Sequence, residues 1–288
     1  MLDGVCKKNF LINEDGSKML ARIFISIIRL SPSLQKGLWK WWYQRLAHRG
    51  RDADWAFMNY GFTPKNGGPA LVLKEKDESD RPFIELYNYT ASQIPIKGLN
   101  VLEIGSGRGG GSSFIARYHE PAQITGLDYS PQAIELSLEL HRDISNLNFV
   151  QGDAESLPFN DRVFDAIINV ESSHCYGNMA EFVNEVARVL KPNGYFSWVD
   201  LRGKDMIGEV EEAFSIEELR QIKEATITTE VIEALDDIHE RKMAVIKQHV
   251  PRWIQPAFRD FSGVKGSKIY NGFKDGSAVY LAKVFQKV

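Results

Sequence analysis

Short apolar runs recur along the middle of this chain. NVLEI at 100–104, QITGL at 123–127, LNFVQ at 147–151, FDAIINV at 164–170 and YFSWV at 195–199 have the length of buried strands. Between them the apolar spacing turns helical, over 112–118, 131–141 and 179–190. Ser130 caps the second of these helices with Pro131 in its first turn. The turn KPNG at 191–194 closes the third. Strands alternating with helices predict an α/β fold, a parallel sheet covered on both faces.

The flanks follow other patterns. Residues 1–80 read as an N-terminal helical extension. A first amphipathic helix spans 17–30, with Leu20, Ile23, Phe24, Ile27 and Ile28 on one face, and Pro32 ends it. A second spans 37–48 and crowds Trp39, Trp41, Trp42 and Tyr43 together. Basic residues beside aromatics suit a helix lying on a membrane, and they equally suit packing on a core or lining a pocket. Asn66 to Pro69 form a turn, and the charged stretch 74–81 marks the boundary. A helix over 82–94, carrying Tyr87, enters a main domain at 81–288. Beyond Arg202 the pattern is helical and charged, predicting a helical insert over 202–262, either a lid or a packing subdomain. Residues 264–270 and 277–285 are expected to be the two closing strands.

The chemistry gathers at the strand ends, where open α/β sheets bind ligands. The first strand runs into Gly105, Gly107, Gly109, Gly110 and Gly111, where missing side chains let a flat, extended ligand reach the backbone. Glycines alone fit many nucleotide ligands. Glu103, two residues earlier, would repel a pyrophosphate and suits a ligand bearing an ammonium group. Asp128 ends the second strand, placed to accept hydrogen bonds from ribose hydroxyls. Asp153 follows the third strand, Asn169 and Glu171 end the fourth, and Asp200 ends the fifth.

Bulk properties narrow the class. The 288 residues are 43% hydrophobic with a net charge of −3, which argues against a nucleic-acid partner. Two cysteines, Cys6 and Cys175, offer no disulfide framework and fit a reducing, cytoplasmic setting. The most apolar segment, 19–30, is too short to span a bilayer and carries Arg22 and Arg29, so the expectation is a soluble or peripheral protein. No cluster has metal-ligand spacing.

The pattern E-x-G-x-G-x-G-G-G at 103–111, the acid after strand two, GDAESLPF at 152–159 and VLKPNG at 189–194 resemble class I S-adenosylmethionine-dependent methyltransferases. The resemblance implies a Rossmann-like, seven-stranded, mostly parallel sheet with its last strand antiparallel, and S-adenosylmethionine as cofactor. It implies that Gly105, Ser106 and Gly107 face the methionine moiety and that Glu103 anchors its amino end. Asp128 would hold the ribose, Tyr129 flank the adenine, Asp153 take the adenine amino group, and the Ala154 amide face a ring nitrogen. Tyr87 would lie over the cofactor and Asn169 beside it. LYNYTASQ at 86–93, NVESSHCY at 169–176, VDLR at 199–202 and FSGVKGS at 261–267 are similar to the phthiotriol/phenolphthiotriol dimycocerosates methyltransferases, which implies O-methylation of a hydroxyl on a lipid.

For a hydroxyl acceptor a general base helps, and His174 is the first candidate, with Glu171 in reserve. His174 could equally be a pocket wall. Cys175 reads as a packing residue. The expected acceptor is a hydrophobic small molecule or lipid. Competing readings are a C-methyltransferase on a sterol-like or prenyl acceptor, with Glu171 stabilising a cation, a cofactor-binding protein without activity, and an NAD-linked oxidoreductase.

Overall fold

Alternate residues of each strand feed two separate cores, and this sets the architecture. In the computed structural model, which describes residues 56–65, 71–250, 252 and 255–288, Val101 of the first strand packs on one face and Leu102 and Ile104 on the other. The helices expected at 17–30 and 37–48, the turn at 66–69 and Cys6 lie outside the described residues.

The sheet is seven-stranded. Five strands run parallel: β1 (Asn100–Ile104), β2 (Gln123–Asp128), β3 (Leu147–Gln151), β4 (Phe164–Val170) and β5 (Leu190–Gly203). β6 (Leu219–Thr226) and β7 (Ala278–Lys287) complete the order β3-β2-β1-β4-β5-β7-β6, with β7 antiparallel to both neighbours. One face is covered by α1 (Arg81–Ala91) and α2 (Gly110–Tyr118), through Phe83, Ile84, Phe114 and Ile115. The other is covered by α4 (Met179–Val189), which follows α3 (Pro131–Leu140), and by α5 (Ile207–Phe214). There Phe182, Phe196, Trp198, Phe214 and Phe285 form a connected run of ring contacts, edge-on, tilted and stacked. Each such aromatic, fully buried, contributes roughly 1.5–3 kcal/mol of transfer free energy.

The expected sheet is present, and the difference lies in its sixth strand. LRQIKEAT at 219–226 falls inside the region read as helical, so the insert does not precede both closing strands. It lies between β6 and β7, as α6 (Thr228–Asp237), α7 (His239–His249), α8 (Gln255–Phe261) and α9 (Lys268–Asp275). Residues 264–270 are not a strand. Gly266 turns the chain at φ +78°, and the Ser267 hydroxyl accepts the Tyr270 amide N–H to cap α9. KPNG does not separate α4 from a later strand either. β5 already starts at Leu190, and the turn survives as a bulge with Asn193 at φ +63°, where pairing jumps from Phe164↔Leu190 to Ala166↔Tyr195.

The described part of the extension docks on the domain. Phe57 and Phe62 are buried in the first core, and the Phe62 amide donates to the Pro82 carbonyl at 2.9 Å. Among the described residues no helix is long and apolar enough to cross a membrane.

Candidate active site

The carboxyl ends of β1, β2 and β4 meet at the glycine turn. Gly105, Gly107 and Gly109 all have positive φ, and Gly109 in the left-handed region opens α2. The Gly105 and Ser106 amides donate to the Leu127 carbonyl at 2.8 and 2.9 Å, which fixes the turn to β2. A Cβ at Gly105 would meet Ser172 Oγ at 2.3 Å, whereas one at Gly107 would find only Met58 Sδ, at 3.9 Å. The turn is thus closed on its β4 side and open at Gly107.

Glu103 sits behind this turn, fully buried. Its carboxylate accepts hydrogen bonds from the Tyr87 hydroxyl at 2.8 Å and from the Ser112 hydroxyl. Burial pushes this carboxyl up to about 7, against the opposing pull of those two hydroxyls. Tyr87 is therefore a buried anchor of Glu103. Its ring also occupies the space where a Cβ at Gly111 would come, 2.0 Å away. Asp128 accepts the amides of Gly107 at 2.8 Å and Ser130 at 2.9 Å, and burial raises its carboxyl despite those two donors. Tyr129 beside it is exposed. Asp153 is exposed and accepts the Glu155 amide at 3.0 Å, while Ala154 is buried.

Asn169, fully buried at the end of β4, donates through Nδ2 to the Ile104 carbonyl at 2.9 Å, Ser172 Oγ at 2.8 Å and the Tyr176 hydroxyl at 3.1 Å. The carbonyl accepts only, so it fixes the amide orientation. Asn169 Oδ1 and Ser106 Oγ are then left buried without a hydrogen-bond partner. Two orphaned polar atoms beside an open glycine face are the mark of a ligand cradle, because such groups are costly to bury unpaired.

The second half of the site follows β4. His174 lies in a short 3₁₀ turn at Ser173–Cys175. Its backbone N–H donates to Asp200 Oδ2 at 2.9 Å and its Nδ1 lies 2.8 Å from Asp200 Oδ1. Asp200 follows Val199, the last β5 residue paired with β4, and no part of it is exposed. It also accepts the Ser173 hydroxyl at 2.6 Å and pairs with Arg202 at 3.0 Å. Ser173 Oγ in turn accepts from Trp198 Nε1 at 2.8 Å and Arg202 at 2.7 Å. Burial disfavours charge on both partners, but their mutual attraction wins. His174 is raised well above the usual imidazole range, and Asp200, helped by Arg202 and Ser173, is held well below the carboxylate range. The His174 side chain is 31% exposed, so solvent screens part of this attraction.

Glu171 stands on the other side of the turn, at the unusual φ of +49° for a non-glycine residue. Its Oε2 accepts the Tyr60 amide at 2.8 Å and the Tyr280 hydroxyl at 2.7 Å. Burial pushes it up to about 7, opposed by those two donors and by His174.

A family profile described as a methyltransferase domain matches residues 102–198, running from within β1 to within β5. The phthiotriol/phenolphthiotriol dimycocerosates methyltransferase of Mycobacterium leprae (strain TN) is 35% identical over 257 residues, 89% of this chain and 94% of that protein. The chain belongs to this methyltransferase family. The fatty-acid O-methyltransferase of Mycolicibacterium smegmatis (strain ATCC 700084 / mc(2)155) is 39% identical, covering 83% of this chain and 87% of that protein. In fold, the geranyl diphosphate C-methyltransferase of Streptomyces coelicolor A3(2) overlays with a TM-score of 0.61 at 16% identity, over 85% of this chain and 98% of that one.

The methyltransferase fold brings Glu103, Gly105, Ser106, Gly107, Asp128, Tyr129 and Asn169 around one turn, and His174 and Glu171 beyond it. The sequence marks Asp200 only as an acid at a strand end and carries no signal for Tyr60 or Tyr280. The acid in VDLR, at the end of the strand beside β4, was the available signal for Asp200. Cys175, read as packing, is exposed instead, because the 3₁₀ turn points it out of the core.

Proposed function

We propose that this methyltransferase moves the methyl group of its cofactor, S-adenosylmethionine, to a hydroxyl oxygen on a hydrophobic, lipid-class acceptor. The single observation carrying the oxygen chemistry is the 2.8 Å contact between His174 Nδ1 and Asp200 Oδ1.

When bound, S-adenosylmethionine supplies a methyl group already electrophilic on its sulfonium. The open face at Gly107, with Gly105 and Ser106, would receive the methionine part, and Glu103 its amino end. Asp128 would exchange backbone amides for ribose hydroxyls, with Tyr129, Asp153 and the Ala154 amide toward the adenine. Tyr87 acts through Glu103, holding its carboxylate in place. Asn169 Oδ1 and Ser106 Oγ would find in the ligand the partners they lack.

On the acceptor side, Asp200 orients the imidazole through Nδ1 and leaves Nε2 to take the acceptor's proton. Asp200 itself stays ionised, held by Arg202 and Ser173, and favours the imidazolium that forms. The apolar acceptor would lie along Tyr60, Phe57 and Phe273 under the insert, which on this reading is the lid. The basic and Trp-rich segments ahead of residue 56 are the proposed route to a lipid surface.

The test is the product. Incubated with ¹³C-methyl donor and a long-chain lipid carrying one free hydroxyl, the enzyme is expected to give a single methoxy carbon resonance. A labelled methyl on carbon would replace this reading with C-methylation, in which Glu171 and its tyrosines would face a cation.

A further inference from the structure

Residues 56–63 form neither helix nor strand, and run as a strap from the glycine turn past Glu171 to α6. At its start the Ala56 carbonyl oxygen lies 2.6 Å from where a Cβ on Gly110 would stand. The strap can cross the first turn of α2 there only because residue 110 has no side chain. Further on it is pinned at every step. Asn59 donates from Nδ2 to the Phe83 carbonyl at 3.1 Å and accepts the Gly61 amide through Oδ1 at 2.9 Å. The Tyr60 amide donates to Glu171 Oε2 at 2.8 Å. The Phe62 and Thr63 amides donate to the carbonyls of Pro82 at 2.9 Å and Glu230 at 3.1 Å.

Met58 is the residue this strap leaves out of the core. Phe57 and Asn59 on either side are buried, whereas Met58 is 41% exposed and its side chain packs into neither core. Among the described residues outside the turn, its Sδ alone comes within 4 Å of the space at Gly107. A ligand lying on the Gly107 face therefore has Met58 as its opposite wall. An apolar side chain left in water above a polar cradle is surface that such a ligand would cover. The thioether, flexible and polarizable, suits that packing. Two residues on, the Tyr60 ring meets Phe273 edge-on at 6.1 Å, so the strap is also the seam between the donor and acceptor halves.

We propose that Met58 is a donor-binding residue whose thioether packs on S-adenosylmethionine at the Gly107 face, and that Glu171 is a positioning residue that latches the strap through the Tyr60 amide and so holds Met58 there. The proposal rests on the reading of Gly105–Gly107 as the donor cradle. It gives the unusual backbone of Glu171, at φ +49°, a use: its carboxylate meets the Tyr60 amide and the Tyr280 hydroxyl together. Both are neutral donors, so an uncharged oxygen at the same place can accept them equally.

The test is calorimetric titration of S-adenosylhomocysteine into the full chain and its variants. Met58→Ala is expected to weaken binding about three- to tenfold, the effect of covering the exposed part of a methionine side chain. Met58→Leu is expected to recover most of that affinity. Both variants should keep the wild-type melting temperature without ligand, which shows that the loss is not one of folding. Glu171→Ala is expected to weaken binding to the same degree as Met58→Ala. Glu171→Gln, whose amide oxygen accepts the same two donors, should stay within about twofold of wild type. The Met58→Ala/Glu171→Ala double variant should lose no more than either single one, since both remove one contact. Wild-type or tighter binding in Met58→Ala overturns the donor contact. Equal losses in Glu171→Gln and Glu171→Ala, or losses that add in the double variant, overturn the latch. Gly105→Ala, titrated alongside, separates the two levels. Affinity kept in that variant removes the cradle reading and the inference with it. Affinity lost there and kept in Met58→Ala removes the inference alone.

Discussion

His174→Gln is expected to lower turnover on a hydroxyl acceptor by about 10²- to 10⁴-fold, with the donor dissociation constant unchanged. In free energy this is about 2.7–5.5 kcal/mol of lost transition-state stabilisation. An alcohol oxygen attacks well only as its proton leaves, and glutamine cannot take that proton. Glutamine does keep a side chain of similar reach, and the Asp200 carboxylate can still accept from its amide. The loss should therefore fall on kcat and not on folding. The donor cradle at Gly105–Gly107 is built from β1 and β2 and does not use His174. Turnover within a factor of about three of wild type, measured with a competent acceptor, would assign His174 to the pocket wall.

Gly105→Ala acts on the other half of the site. A left-handed backbone costs a non-glycine residue about 1–2 kcal/mol. The new Cβ would also come within 2.3 Å of Ser172 Oγ and 2.5 Å of Ser172 Cβ. Ser172 cannot retreat freely, because its Oγ is bonded to Asn169 at 2.8 Å and to the Tyr176 hydroxyl at 2.9 Å. Either the turn moves away from β4 or the Asn169 network opens. Donor affinity, read by calorimetry with S-adenosylhomocysteine, is expected to fall at least about 100-fold, a loss of about 2.7 kcal/mol. The melting temperature should drop by several degrees, since each kcal/mol is worth about 2–4 °C in a chain of this class. An alanine variant that binds the ligand as wild type does would show that the turn is not the donor site.

The parts of the fold legible in the sequence are those where burial is two-sided. Val101, Leu102 and Ile104 in β1, and Ala166, Ile167 and Ile168 in β4, face helices on both sides and so write unbroken apolar runs. β6 is an edge strand whose residues after Leu219 are almost all exposed, and Arg220, Lys223 and Glu224 keep it from pairing further. Its charges, following Glu217 and Glu218, give the same local signal as a solvated helix. What reveals it is on another strand, where Lys283 of β7 is fully buried and pairs with Glu224 at 3.0 Å. The site divides in the same way. The glycine-turn part of the proposed donor half, Glu103 to Asp128, lies within one βαβ unit and carries its own spacing, whereas Asn169 comes from β4. The proposed acceptor half is assembled from Tyr60, Glu171, His174, Asp200 and Tyr280, far apart in the chain, so only the sheet order brings them together.

The pH dependence of kcat/KM for a hydroxyl acceptor tests most directly whether His174, held by Asp200, takes the acceptor's proton. Only the neutral imidazole can do so, and the Asp200 contact raises its pKa above the ordinary value. Activity should climb with pH, about tenfold per unit, and level off only above the ordinary imidazole range, a limb that His174→Gln should lack. A wild-type profile that is flat from about pH 6 to 9, or the same limb in His174→Gln, would contradict the account.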